Sequence, residues 1–410
     1  MIWRNRRGVN NSSPARKVLF LASIASLTSL GIDMYLPGLP SLQAEFHVAG
    51  GGGILSSSLF MAGFALTPLF GGPLSDCIGR KCVLLIALTG FAFAALVCCA
   101  APTIGVLMAG RFAQGCALGM ATTIPLAIVS DIFDGPAASQ RMAEVATFSC
   151  LMPIMAPAIG NLMLQVGGWR AIFSLQGVVG VILCCCALLF PESLPCEARQ
   201  RLQLWVIASN ARVLLRSSRF RTRALIYGLL FACTFCFTVA SPLILIQHLH
   251  MLPRTYAIVF AVNSCGAIAG AGLSAVLSRR GISRRRMITV GIWISLFASL
   301  AGLGLQLKQP AVPLGLLPAA FLALFGFNFA SPLVQIEALK SVPQLRGTGS
   351  GLMRTLVTLI NFSASAVLAL LCAHFEVYTE IMTSCIMTLL ALAALCSYWL
   401  VSSGAEAQGA

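Results

Sequence analysis

A chain of 410 residues that is 58% hydrophobic and only 10% charged, with a mean hydropathy of +0.90, lacks the charged surface that a water-soluble fold of that size requires. Its apolar residues run in continuous stretches and do not alternate, which excludes a β-barrel and leaves an all-α polytopic membrane protein. The formal charge of +15 invites a nucleic-acid reading, but the cations gather in the loops of one side, a topological bias that argues against nucleic acid.

Twelve apolar segments are predicted, near residues 18–39, 53–74, 82–101, 104–130, 142–166, 171–191, 224–246, 254–278, 288–307, 314–336, 347–372 and 380–401. Each is close to the roughly 20 residues that a helix needs to cross a bilayer. The first ends at Met34-Tyr35-Leu36-Pro37 with no small-residue cleavage site, so it is expected to remain as a signal anchor. Taking the N-terminus as cytoplasmic, 22 of the 27 Lys and Arg fall inside, from Arg4, Arg6 and Arg7 in the tail to Lys340 and Arg346. Only Arg170, Arg254 and Lys308 fall outside, while Arg111 and Arg354 lie within segments. Both termini are therefore expected in the cytoplasm of a multi-pass plasma-membrane protein. The lipid bilayer is its surroundings, and attraction to anionic lipid is secondary.

The longest polar stretch divides the chain into a six-helix bundle at 1–191, a basic cytoplasmic linker at 192–223 and a second six-helix bundle at 224–410. Leu202 to Arg223 mixes apolar residues with spaced arginines, as an amphipathic helix on the inner leaflet or a solvated linker would. Two such halves suit parallel repeats that rock about a central site. Nearly all of the sixteen cysteines lie in apolar segments, and the Cys233–Cys236 pair has no second pair or histidine nearby. They read as small apolar residues, with no metal or cofactor expected.

Of the twelve acids only Asp33 lies well inside an apolar segment. A carboxylate there costs about 2.5–3.5 kcal/mol, so it should face a cavity or a partner. Ser26, Ser29 and Asp33 share a helix face, and Asp33 falls about 22 Å from the inner end of its helix. Arg111 falls about 10 Å below the outer surface, at similar depth. Gln114, Gly115 and Thr122 continue the polar face of Arg111, with Gly115 and Gly119 spaced for helix packing. Arg354 joins Thr358, Asn361 and Ser365 in a stripe, and either meets an anionic group of a substrate or snorkels to head groups. Asn328, Ser331 and Gln335, and likewise Thr234, Thr238 and Ser241, are spaced as cavity-lining stripes.

The loop Gly72-Pro73-Leu74-Ser75-Asp76-Cys77-Ile78-Gly79-Arg80-Lys81 places turn-forming glycines beside an acid and two cations at the membrane face. It resembles the signature loop of the major facilitator superfamily, with Cys77 where that family usually carries a base. Arg111-Phe112-Ala113-Gln114-Gly115 resembles the fourth-span motif of the twelve-span drug:proton antiporters. The stretch Pro153-Ile154-Met155-Ala156-Pro157-Ala158-Ile159-Gly160 resembles their fifth-span antiporter motif, with Ala156 where many members have Gly. Gly31-Ile32-Asp33-Met34-Tyr35-Leu36-Pro37 resembles the first span of the bicyclomycin/chloramphenicol-resistance branch. The resemblance implies a gating role for Gly72, Asp76, Gly79, Arg80 and Lys81, with Asp131 and Arg141 beside them. It also implies an antiporter role for Pro153, Pro157 and Gly160, and a central cavity lined by spans one and four. Asp33 and Arg111 then become the proton-coupling pair or a static ion pair between helices, with Asp131 or Glu337 as the next proton carriers. Tyr35 joins the cavity candidates.

No GxxxxGK[ST] phosphate loop, GxSxG elbow or HExxH helix occurs, so neither ATP hydrolysis nor a catalytic site is expected. The expected function is a secondary transporter that exports small amphiphilic molecules, drug or metabolite, in exchange for protons by alternating access. A proton-coupled nutrient importer, or an exporter dedicated to one metabolite such as a siderophore, stands as the alternative. Its partners would be a small-molecule substrate and protons, and a monomer is expected.

Overall fold

The computed structural model describes residues 14–48, 50–308, 315–342, 345–375 and 378–407, all helix, turn or loop with no strand among them. The tail cations Arg4, Arg6 and Arg7 lie outside the described residues. Ten described helices are long and apolar enough to cross a membrane, and one bent pair adds an eleventh span. One of the ten, covering 140–189, is about twice the required length. It belongs to α8 (Gly135–Leu189), whose helix breaks at Gly167 and Gly168; Gly168 has φ +67°, a conformation that glycine adopts without strain. Counted as two spans, α8 brings the bundle to the twelve predicted.

Proline and glycine set the other breaks. α1 (Pro14–Ile32) ends before a turn at 33–35 and a short 3₁₀ segment containing Pro37, then resumes as α2 (Leu39–Phe46). α3 (Gly50–Leu66) meets α4 (Pro68–Ile78) at a 43° bend, with Pro68 in the first turn where a missing N–H does no harm. The third span is α5 (Arg80–Cys99), and the fourth is α6 (Ile104–Ala121) followed by α7 (Ile124–Ile132). After α8, the linker holds α9 (Leu204–Arg216), which leaves Leu204, Trp205, Val206 and Val213 exposed and buries Ile207 and Leu214. The later spans are α10 (Ser218–Pro242), which runs on as a π-helical turn to His248, then α11 (Pro253–Arg279), α12 (Arg284–Lys308), α13 (Leu316–Lys340), α14 (Arg346–His374) and α15 (Thr379–Ala407).

The first-half helices pack mainly on one another, as do the second-half helices, and the two sets meet chiefly where α3 lies on α14 and α8 on α11. Backbones approach closely at glycines. A side chain at Gly63, Gly115 or Gly119 would collide with atoms across the α3–α6 crossing, and one at Gly51 with the Ala369 carbonyl of α14. Such small-residue crossings supply van der Waals contact where lipid provides no hydrophobic drive. Arg80, Arg199, Arg223 and Arg279 mark one end of the bundle, the basic end.

Candidate functional site

A cavity of about 1200 Å³ lies between the two sets of helices. Its walls come from α1 (Thr28, Ile32), α3 and α4 (Met61, Phe64, Gly72), α7 (Leu126), α10 (Tyr227, Phe231) and α14 (Arg354, Thr358). The mouth is at the basic end, among Asp76, Arg80, Arg201, Gln203 and Asn210. The opposite end is closed: Gln247 Nε2 donates to Gln43 Oε1 at 2.9 Å across the two halves, and Gly51 sits against α14. Near that end His248 Nδ1 and Glu380 lie 2.7 Å apart, and Glu45 accepts from Trp169 and Arg170. Arg170, one of the few cations predicted on the outer side, thus has a carboxylate of its own.

Of the predicted cavity residues, Thr122, Gln335, Arg354 and Thr358 line this space. Ser26, Ser29, Tyr35, Gln114, Thr238, Asn328, Ser331 and Asn361 do not. Four of these eight polar side chains are spent on their own helix. Ser26, Thr238, Asn328 and Asn361 donate to carbonyls one turn back, at 2.8, 3.1, 2.9 and 2.8 Å. A hydroxyl or amide bonded to its own helix can follow the same spacing as one that faces a ligand. Sequence reasoning missed Thr28, Tyr227 and Phe231; the aromatic pair lies one turn apart on a segment where only its hydroxyls drew notice.

Asp33 and Arg111 stand at similar depth but do not pair. Arg111 Nη1 donates to Gly31 O and to Gln114 Oε1, both at 2.7 Å. Gln114 Nε2 donates to Gln176 Oε1 at 2.7 Å, and Gln176 Nε2 to Leu30 O at 2.8 Å. The break in the first span explains this chain. Where α1 ends, the Met34 N–H turns to Ser29 O instead of Leu30 O, leaving the last carbonyls of the helix orphaned. Arg111 and Gln176 cap them. The guanidinium also lies 4.7 Å from the Tyr35 ring and 4.5 Å from the Phe60 ring, and Tyr35 hydrogen-bonds Ser56 at 2.7 Å. Asp33 falls in the turn beyond the end of α1, so its side chain does not follow the side on which Gly31 O meets Arg111. Asp33 lies instead beside Ser29, and Tyr256 of α11 is close enough to feel its charge. Gln176 was legible only as a lone glutamine in the apolar segment 171–191.

At the mouth, Arg80 binds Asp76 and Ser75 and donates from Nε to Asp131 Oδ2 at 3.1 Å. Ser193 donates to the same Asp131 oxygen at 3.0 Å. The first amides of α5 need acceptors, and Glu192 supplies them: Arg80 N–H reaches Oε1 at 3.1 Å and Lys81 N–H reaches Oε2 at 3.3 Å. Lys81 Nζ caps Leu188 O at 2.6 Å. Gly79, at φ +105°, lies so close to Glu192 and Arg199 that a side chain there would collide with both. Gly72 has open space around it. Arg141 stands outside this cluster, because it pairs with Glu144 three residues on at 2.7 Å. Pro153 and Pro157 lie within α8, and Gly160 packs against the Met34 backbone. Glu337 is engaged by Arg223 at 3.0 Å.

A solute-sized cavity, shared by two sets of spanning helices and open at one end, is the architecture of a secondary transporter. Residues 21–365 and 223–406 match the model of the Major Facilitator Superfamily, and the chain belongs to that superfamily, whose members here are transporters and not enzymes. It is 28% identical over 284 residues to the "Uncharacterized MFS-type transporter YdgK" of Bacillus subtilis (strain 168), covering 68% of this chain and 70% of that protein. It is 29% identical over 264 residues to "Multidrug resistance protein MdtL" of Salmonella heidelberg (strain SL476), covering 64% of this chain and 65% of that protein. The chain thus spans about two thirds of the length of these relatives. Among solved structures, an inward-facing bacterial homologue of the lysosomal transporter Spinster superposes with a TM-score of 0.74 at 15% identity, covering 96% of this chain and 98% of that one. A D-xylose–proton symporter gives 0.71 at 14% identity, covering 93% and 97%. These likenesses concern the fold.

Proposed function

We propose that the protein exports small amphiphilic molecules across a bacterial inner membrane in exchange for protons. The observation that carries the reading is the cavity walled by both halves, open at the basic end and sealed at the other. The charge bias supports placing that end in the cytoplasm, so the cavity collects its cargo from the cytoplasmic side. Rocking of the halves, with α3–α14 and α8–α11 as the contacts that must shift, would then open the far end. The name of the multidrug relatives supports export.

In this reading Asp33 carries the proton. It stands one residue beyond the cavity-lining Ile32, where α1 unwinds and the backbone can change shape without breaking a continuous helix. Exposed to the acidic outer side it is protonated, and it gives up the proton when the inward state brings it near the cavity. Arg111 holds the broken end of α1, and Asp76, Arg80 and Asp131 gate the mouth. The test is proton-driven uptake of a fluorescent amphiphile into inverted vesicles. Accumulation should collapse with an uncoupler and be absent with Asp33→Asn. Accumulation that survives the uncoupler would rule out proton exchange, and accumulation only in right-side-out vesicles would reverse the direction.

A further inference from the structure

We propose that the cavity selects amphiphilic organic anions, with Arg354 of α14 pairing with a carboxylate of the substrate. The inference rests on the export reading and narrows its substrate class. Arg354 lies eight residues into α14, about 12 Å from the basic end at 1.5 Å per residue. It is exposed to the cavity, its guanidinium 5.5 Å from the Phe64 ring centroid. The Tyr227 hydroxyl is close enough to share its field. Among the described residues Arg354 forms no ion pair and its guanidinium no hydrogen bond, and the same holds for the Tyr227 hydroxyl.

Arg354 differs from the arginines that pair with acids. Arg80 has Asp76 and Asp131, Arg141 has Glu144, Arg170 has Glu45, Arg199 has Glu192 and Arg223 has Glu337. Arg111 is unpaired by any acid, but it is fully buried beneath aromatic rings and caps Gly31 O. Among the described residues, only Arg354 offers a free guanidinium to the cavity at depth. The wall holds one carboxylate, Asp76, already bound to Arg80, while Arg201 adds a further cation at the mouth. The field inside is therefore positive. A cation at this depth is costly without a partner, and a guanidinium fork matches a carboxylate with two parallel hydrogen bonds. Met61, Phe64 and Phe231 leave an apolar wall for the rest of the molecule.

Three compounds with one ring body separate charge from shape: naphthaleneacetate, neutral naphthaleneethanol and cationic naphthaleneethylamine. Each is titrated into purified protein in phosphatidylcholine nanodiscs, with empty nanodiscs subtracted. The acetate should bind about tenfold more tightly than the alcohol, the advantage of one charge-assisted bidentate pair. Arg354→Gln should bring the acetate down to the alcohol's affinity without changing the alcohol, and Arg354→Lys should keep part of the preference. Equal binding of acetate and alcohol, preference for the amine, or a preference that survives Arg354→Gln would overturn the inference while leaving export of amphiphiles standing. Displacement of the acetate by phosphatidylglycerol in the nanodisc, lost in Arg354→Gln, would assign the arginine to lipid head groups and overturn it too. Failure of all three compounds to bind would count against the export reading itself and remove the inference with it.

Discussion

Two residues apart at the broken end of α1, Gly31 and Asp33 have different partners. Gly31 gives its carbonyl to Arg111, while Asp33 lies beside Ser29. Asp33→Asn should abolish proton-driven transport yet keep substrate binding and substrate-for-substrate exchange, as read by counterflow in proteoliposomes; loss of exchange as well would make the residue part of the binding site. Gln176→Leu should destabilise the protein by about 1–3 kcal/mol, since it strands the Leu30 carbonyl and the Gln114 amide in a buried setting. A lowered thermal midpoint with unchanged ligand affinity is the expected result. Asp33 and Arg111 were legible because ionised groups are conspicuous in an apolar run. Their partners were not: one residue of helix rotation decides whether equal depth becomes a contact, and residue spacing alone does not set the orientation of a broken helix. The hydroxyl stripes misled for a related reason, because bonding to the previous turn and facing a ligand share the same period.

At the scale of elements, the start of α5 depends on a residue more than a hundred positions away. Glu192 stands over the first amides of α5, where the helix dipole favours a negative charge. The two loop glycines should respond differently to a methyl group. Gly79→Ala meets Glu192 and Arg199 and forces an L-residue to φ +105°, so it should lower the yield and melting point of the purified protein. Gly72→Ala meets nothing in this state and should leave stability alone. It should still slow transport if the loop closes onto the second half elsewhere in the cycle, so the measurement is turnover beside melting. An unchanged turnover would argue that Gly72 never enters a close contact. The spans themselves were legible, down to the Gly167–Gly168 break between the fifth and sixth. The capping role of Glu192 was not, because local sequence carries no trace of a cap supplied by another span.

For the whole molecule, the closed end is held in part by the hydrogen bond of Gln247 Nε2 to Gln43 Oε1. Gln247→Ala removes one hydrogen bond between the halves, worth about 0.5–1.5 kcal/mol, and should shift the population severalfold toward the outward-open form. Spin-label distances across that end would report it; an unchanged distribution would leave the closure to α3–α14 packing alone. The polar stretch at 192–223 suggests a division into two halves, but it does not say which helices would touch across it, since those contacts join segments with no shared periodicity. The linker carries a further consequence. Its Gln200 amide is fastened to Asp76 O on the first half at 3.0 Å, while α9 packs through Leu214 against α10 and α14 of the second. Only residues 201–203 run free between the two anchorages, a leash of about 14 Å at full stretch. The gape of the basic end is thus capped by chain length, and with it the girth of any cargo admitted. Splicing a few Gly-Ser pairs after Gln203 should slacken the leash, admit bulkier compounds and slow the return stroke.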